Sequence, residues 1–170
     1  MKGNATMSEM ITTLSLANLR EALQQVGFRV EQQTDPVARV EFLRSATGGV
    51  GFDVRPGSLG IDGGFADVAF IAVLQVRGEL PLGLVNNWNG TRRFARLQLG
   101  PQLLALSLDV SVAGGVSPQH LRSQIEIWDH LLQDLIAYLR EELRRLPGAG
   151  EQPLPSGAAT AEAPVSAAVN

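Results

Sequence analysis

Between Ala95 and Val112 the chain alternates apolar and polar residues with a period of two. Ala95, Leu97 and Leu99 stand against Arg96 and Gln98; Leu104, Leu106, Leu108, Val110 and Val112 stand against Ser107, Asp109 and Ser111. Successive side chains of a strand point to opposite faces, so this pattern predicts two strands with one greasy and one polar face. Gly100-Pro101 supplies the turn between them. A sheet with one greasy face must be covered on that face, the usual antiparallel arrangement. The cover follows in the sequence. After Ala113-Gly114-Gly115-Val116, Ser117 is placed to cap a helix and Pro118 to open it, and the helical pattern runs to about Leu146 before Pro147-Gly148 ends it. At ~1.5 Å per residue that helix is ~45 Å long, more than the ~35 Å expected across so small a domain.

Upstream, Leu16, Leu19, Leu23 and Val26 recur at three- and four-residue steps and predict a helix over Leu14 to Val26, stopped by Gly27. Strands are expected at Arg29 to Gln33, at Val37 to Arg44 beyond the turn Thr34-Asp35-Pro36, and at Val50 to Arg55. Gly57 to Asp67 reads as a mobile loop. The run Val68 to Val76 is apolar on both faces, the mark of a central strand or one covered on both sides. Pro81 fits the first turn of a short helix through Trp88. The fold class is therefore α+β: an antiparallel sheet with helices packed mainly on one face, in the order α-β-β-β-α-β-β-α. One domain is expected over 13–146, with a flexible N-terminus over 1–12 and a disordered Ala/Pro/Gly/Ser-rich tail over 147–170.

Charge and composition remove several function classes. A net charge of −3 gives no general attraction to phosphate backbones, so nucleic acid is not an expected partner. No stretch approaches the ~20 apolar residues that span a bilayer, and the first ten residues lack the apolar core of a signal peptide, so no membrane partner is expected either. The chain has no cysteine, which excludes disulfides and thiolate chemistry and fits a cytoplasmic protein.

Motifs for chemistry are missing where they would be needed. Gly48, Gly49 and Gly51 precede Val54 where a dinucleotide fingerprint needs its third glycine, and a strand follows instead of a helix. Ser58 lacks the glycine two places before it that a nucleophile elbow requires. His120 and His130 lie ~15 Å apart along one helix and cannot share a metal ion. Asp62 and Asp67 sit in an Asp-Gly-Gly turn context rather than at ligand spacing. The reading is a non-enzyme with no catalytic, cofactor-binding or metal-ligating residue, and no cofactor.

Interaction is the stronger theme. On the terminal helix Leu121, Ile125, Trp128, Leu132, Leu135, Leu139, Leu143 and Leu146 follow near-heptad spacing, and Leu131, Ile136 and Tyr138 widen the apolar surface. That is more surface than one small sheet is expected to cover. Trp128, Leu131, Leu132, Leu135, Ile136 and Leu139 are the candidate interaction surface, and a homodimer is the expected state.

One further run carries a resemblance. Leu84-Val85-Asn86-Asn87-Trp88-Asn89-Gly90-Thr91-Arg92-Arg93-Phe94 places an Asn-x-Trp-Asn helix end before an Arg-Phe strand start, and a strand pair, a Gly-Gly turn and a long helix follow. This order resembles the YbjN-type domain, a bacterial family of sensory transduction regulators with a type III secretion chaperone-like fold. The resemblance spans roughly Leu14 to Leu143 and marks Asn86, Trp88, Asn89, Arg93, Phe94, Gly114 and Gly115. It implies a non-enzymatic protein-binding role, chaperone-like or regulatory, with a homodimer and a client or regulatory protein as partners. By their own chemistry, Trp88 is expected in the core and the asparagines at the helix end, bonding the backbone. The alternative is a small-molecule or catalytic pocket between the 57–67 loop and Asn86–Asn89.

Overall fold

The computed structural model describes residues 10–60 and 62–145. Helix α1 (Leu16–Gln25) is followed by strands β1 (Glu31–Thr34), β2 (Glu41–Thr47), β3 (Val50–Pro56) and β4 (Asp67–Gln75). Helix α2 (Leu82–Thr91), the hairpin β5 (Arg96–Gly100) and β6 (Leu103–Ser111), and helix α3 (Pro118–Arg145) complete the chain. Four strands separate α1 from α2, one more than the expected order counts. The six strands form one antiparallel sheet in the order β1-β2-β3-β4-β6-β5. The domain is α+β, with all three helices on one face.

Local chemistry sets the boundaries. Ser15 caps α1: its hydroxyl accepts from the Asn18 N–H at 3.2 Å, and the Asn18 side chain accepts from the Ser15 N–H at 2.7 Å. Leu14, expected inside that helix, instead exchanges both backbone hydrogen bonds with Phe65. Gly27 stops the helix at φ +104°. The strand expected from Val37 starts only at Glu41, because the Asp35 carboxylate accepts from the N–H groups of Val37 and Ala38 and holds 35–39 as a turn. Ser117 caps α3 through the His120 N–H.

Register explains the core. Leu43, Val54, Phe70 and Leu108 line up across four strands, all buried under the helices. Trp128 of α3 seats on Phe52 and Phe70, with ring centroids 5.6 and 5.7 Å away. The Gly57–Asp67 loop, expected to be mobile, is tied down: Gly57 N–H bonds the Asp67 carbonyl, Ala66 N–H the Ser58 carbonyl, and Phe65 pairs with Leu14. The ordered chain also reaches into the stretch expected to be flexible, for Ile11 exchanges two backbone hydrogen bonds with Val116. The expected tail over 147–170 lies outside the described residues.

The candidate interaction surface on α3 is spent inside the molecule. Trp128, Leu131, Leu132, Leu135 and Leu139 are buried, and Ile136 is half-buried beside Gly48 of the β2–β3 turn. The expectation of surplus apolar area counted only the sheet as cover. It left out α1, which packs against α3, and α2, whose Trp88 and Leu84 take up Tyr138.

Among the described residues, no helix packs on the opposite face of the sheet. Arg44, Asp53, Ile71, Ser107 and Arg96 form one cross-strand row there. On its β1–β3 side Phe42 is buried apart from the main core, beneath the Arg44 and Arg55 guanidinium groups at 5.3 and 4.3 Å from its ring centre. Asp53 bonds both arginines, and Asp35 bonds Arg55. On the β4–β6 side the outward apolar residues are Ala69, Ile71, Val73, Leu103 and Ala105, each partly exposed, and they share that face with Asp67, Gln75, Ser107, Asp109 and Ser111.

Candidate functional site

Helix α2 reaches the sheet edge through a short, heavily bonded corner. Pro81 precedes the helix in extended conformation, so Leu82 opens it, and Leu84, Val85 and Trp88 turn inward. Trp88 is fully buried, 5.4 Å from the Tyr138 ring. Its indole N–H bonds nothing among the described residues, so the ring is held by packing. Tyr138 donates its hydroxyl to the Leu84 carbonyl at 2.7 Å and accepts from the Asn87 side-chain amide at 3.2 Å. Arg92 lies over both rings, 4.8 Å from Trp88 and 4.7 Å from Tyr138, and donates to Asp134 of α3 at 3.1 Å. A cation on two aromatic faces with a carboxylate at its edge locks α2 to α3.

Asn89 has a different task. Its amide donates to the Leu97 carbonyl and its side-chain carbonyl accepts from the Leu97 N–H, both at 2.9 Å. Strand β5 is the last of the sheet, so a neighbouring strand would use these two groups. One side chain thus stands in for a strand at Leu97 and blunts an edge that would otherwise invite pairing. Asn86, the other asparagine of the motif, is exposed and makes no side-chain bond among the described residues; Asn87, outside the motif, is the one that bonds α3.

Phe94 lies between helix and strand at φ +75°, and the Ala95 N–H donates across it to the Arg93 carbonyl at 3.0 Å. This is a γ-turn of the rare hand, strained for a bulky residue. Phe94 gains no burial in return: it is 63% exposed, with the Arg93 guanidinium 5.7 Å from its ring centre. An open cavity of about 440 Å³ beside it is lined by Asn89, Arg92, Phe94, Ala95, Arg96 and Asp109. No residue of the 57–67 loop lines this cavity.

Elsewhere, Gly114 and Gly115 both hold positive φ, +83° and +91°, which lets β6 turn tightly into α3. His120 and His130 are exposed on α3, and no cluster of metal-ligating side chains occurs among the described residues. No described helix is long and apolar enough to cross a membrane. Sequence reasoning missed Asn87, Asp134 and the double stacking of Arg92; the four-residue step from Trp88 to Arg92 was the available signal, since it puts both on one helix face. It also missed the ion-paired cover over Phe42, whose parts come from separate strands and a turn.

Comparison with known proteins places this architecture. No curated protein sequence matches the chain. Among solved structures, that of YbjN from E. coli, described as "a putative transcription regulator", is similar in fold: TM-score 0.58 at 17% identity, covering 82% of this chain and 100% of that one. The sequence model of the YbjN family, described as "Putative bacterial sensory transduction regulator", matches residues 15–141, from the cap of α1 to the last turns of α3. The chain belongs to the YbjN family.

Proposed function

We propose that this chain is a non-catalytic regulatory module that acts as a homodimer and binds a client protein in the cytoplasm. The observation that carries the dimer is the sheet face that no helix among the described residues covers. A solvent-facing antiparallel face normally alternates to polar residues, yet here Ala69, Ile71, Val73, Leu103 and Ala105 form an apolar patch broken only by Ser107 opposite Ile71 and bordered by Asp109. Six strands at ~4.8 Å spacing, with the long strand β4 rising ~3.4 Å per residue, make a face of roughly 24 by 27 Å. That approaches the ~800 Å² per partner of a standard stable interface. Opposite charges at its margin, Arg96 and Asp109, are themselves largely exposed and close enough to pair at 3.1 Å within the chain. A two-fold copy would let the two exchange partners across the interface.

The family's regulatory description supports the client-binding half of this reading, and a chaperone-like handling of that client is part of the proposal. The test is mass by light scattering at micromolar concentration. Wild type is expected as a dimer, and Ile71→Asp as a monomer with unchanged circular dichroism. A monomeric wild type, or a dimer that survives Ile71→Asp, overturns the assignment.

A further inference from the structure

We infer that the α2–β5 corner is a docking site for an acidic protein segment that carries a bulky apolar residue beside its carboxylates. The inference rests on the protein-binding reading above and names the partner's chemistry and the place it binds. Three observations converge on the corner. Phe94 is a large apolar side chain held out into solvent by a strained turn that a glycine would form without strain. Strain kept at an exposed residue is a cost with no return in folding, and such costs gather at binding sites. Exposed aromatic and arginine side chains are also the residue types that most often anchor interfaces.

Charge then selects the occupant. Arg92, Arg93 and Arg96 stand within five positions of one another in a chain whose net charge is −3. Arg92 is engaged by Asp134, but Arg93 makes no ion pair among the described residues, and the Arg96–Asp109 pair is exposed enough to be exchanged. Arg92 and Arg96 line the cavity beside Phe94, and exposed Arg93, whose guanidinium lies 5.7 Å from the Phe94 ring centre, adds a cation able to take a carboxylate in the two-bond manner arginine favours. A nucleic acid fits less well, because the overall negative charge opposes a long phosphate backbone and Asp109 faces the same cavity. The free backbone edge at Leu97 is already occupied by Asn89, so recognition works through side chains rather than through an added strand.

The test is a selection from random twelve-residue peptides displayed on phage, run on the full chain and on Phe94→Gly and Arg93→Glu. Wild type is expected to enrich peptides in which Asp or Glu neighbours Phe, Leu, Ile or Trp. The best synthetic peptide should then lose at least tenfold in affinity on Phe94→Gly and on Arg93→Glu by fluorescence anisotropy. The melting temperature of Phe94→Gly should hold or rise. Phe94→Asn, which tolerates the same backbone, should lose the same affinity and separate the ring from the turn. A pool without acidic enrichment, an unchanged pool from Phe94→Gly, displacement of the peptide by a single-stranded oligonucleotide, or a sharp fall in melting temperature on Phe94→Gly would each overturn the assignment. Both variants should keep the dimer mass, so failure here is distinct from failure of the sheet-face interface.

Discussion

Replacing Asn89 with alanine tests whether one side chain closes the sheet at β5. The change deletes two hydrogen bonds, both at 2.9 Å, and leaves the N–H and carbonyl of the buried residue Leu97 without their partner. Each such bond contributes ~0.5–1.5 kcal/mol net, so the pair is worth about 1–3 kcal/mol. Alanine returns up to ~0.5 kcal/mol through its higher helix propensity, since Asn89 lies in the last turn of α2. The expected loss is therefore about 0.5–3 kcal/mol, a fall in melting temperature of roughly 1–12 °C for a chain of this size. Differential scanning calorimetry measures it, with Asn86→Ala as the control: Asn86 is exposed and unbonded, so its removal should stay within ~0.5 kcal/mol. Exposing the β5 edge should also raise turbidity with concentration near the transition. Equal melting temperatures for Asn89→Ala and wild type, or equal losses at both asparagines, would refute the edge-closing argument.

Trp88→Ala should cost ~3–5 kcal/mol in urea unfolding, because it empties the site between Tyr138 and Arg92, and a loss below ~1 kcal/mol would show the ring is not structural. Leu135→Glu should unfold the protein rather than dissociate it, since a carboxylate at this fully buried position has no partner; a folded monomer by circular dichroism and light scattering would contradict that. The Asp35 carboxyl is lowered to about 2, chiefly by the Ala38 N–H and then by Arg55 and the Val37 N–H. Because the folded value lies below the ordinary one, the stabilisation is complete above about pH 4 and is lost as the pH falls towards 2. Asp35→Asn should therefore melt below wild type at pH 7, with the gap closing over that acid range; a gap independent of pH would remove Asp35 as its source.

The β5–β6 alternation, the apolar run of β4 and the Gly27 and Gly114-Gly115 turns were all legible, because each depends on neighbours within a few residues. The late end of the Asp35 turn was not. Val37 and Val40 carry strand propensity, but the Asp35 carboxylate bonds the N–H groups of Val37 and Ala38 locally and wins. The corner was half legible. Its motif marked the segment that joins α2 to β5, while the separate tasks of Asn86, Asn87 and Asn89 depend on where α3 and β5 lie, which no local pattern states. The α3 surface was misjudged for the same reason: a heptad-like stripe reports apolar area without saying how many elements share it. Phe94 was the least legible, since its exposure follows from a positive φ that nothing in Arg93-Phe94-Ala95 announces.

The pairing of Ile11 with Val116 has a kinetic consequence. It closes a ring of about a hundred residues, and the entropy lost in closing so long a loop from an unstructured chain far exceeds what two backbone bonds return. The clasp can form only after the sheet and α3 have fixed Val116 in space. It should therefore be absent from the folding transition state and be among the first contacts to open, so that removing residues 10–12 speeds unfolding while leaving the folding rate almost unchanged. Amide exchange at Ile11 and Val116 should likewise run ahead of exchange at Phe70 and Leu108 in the centre of the sheet. The N-terminal segment then acts as a latch on the native state, governing how long the fold lasts rather than how quickly it is reached.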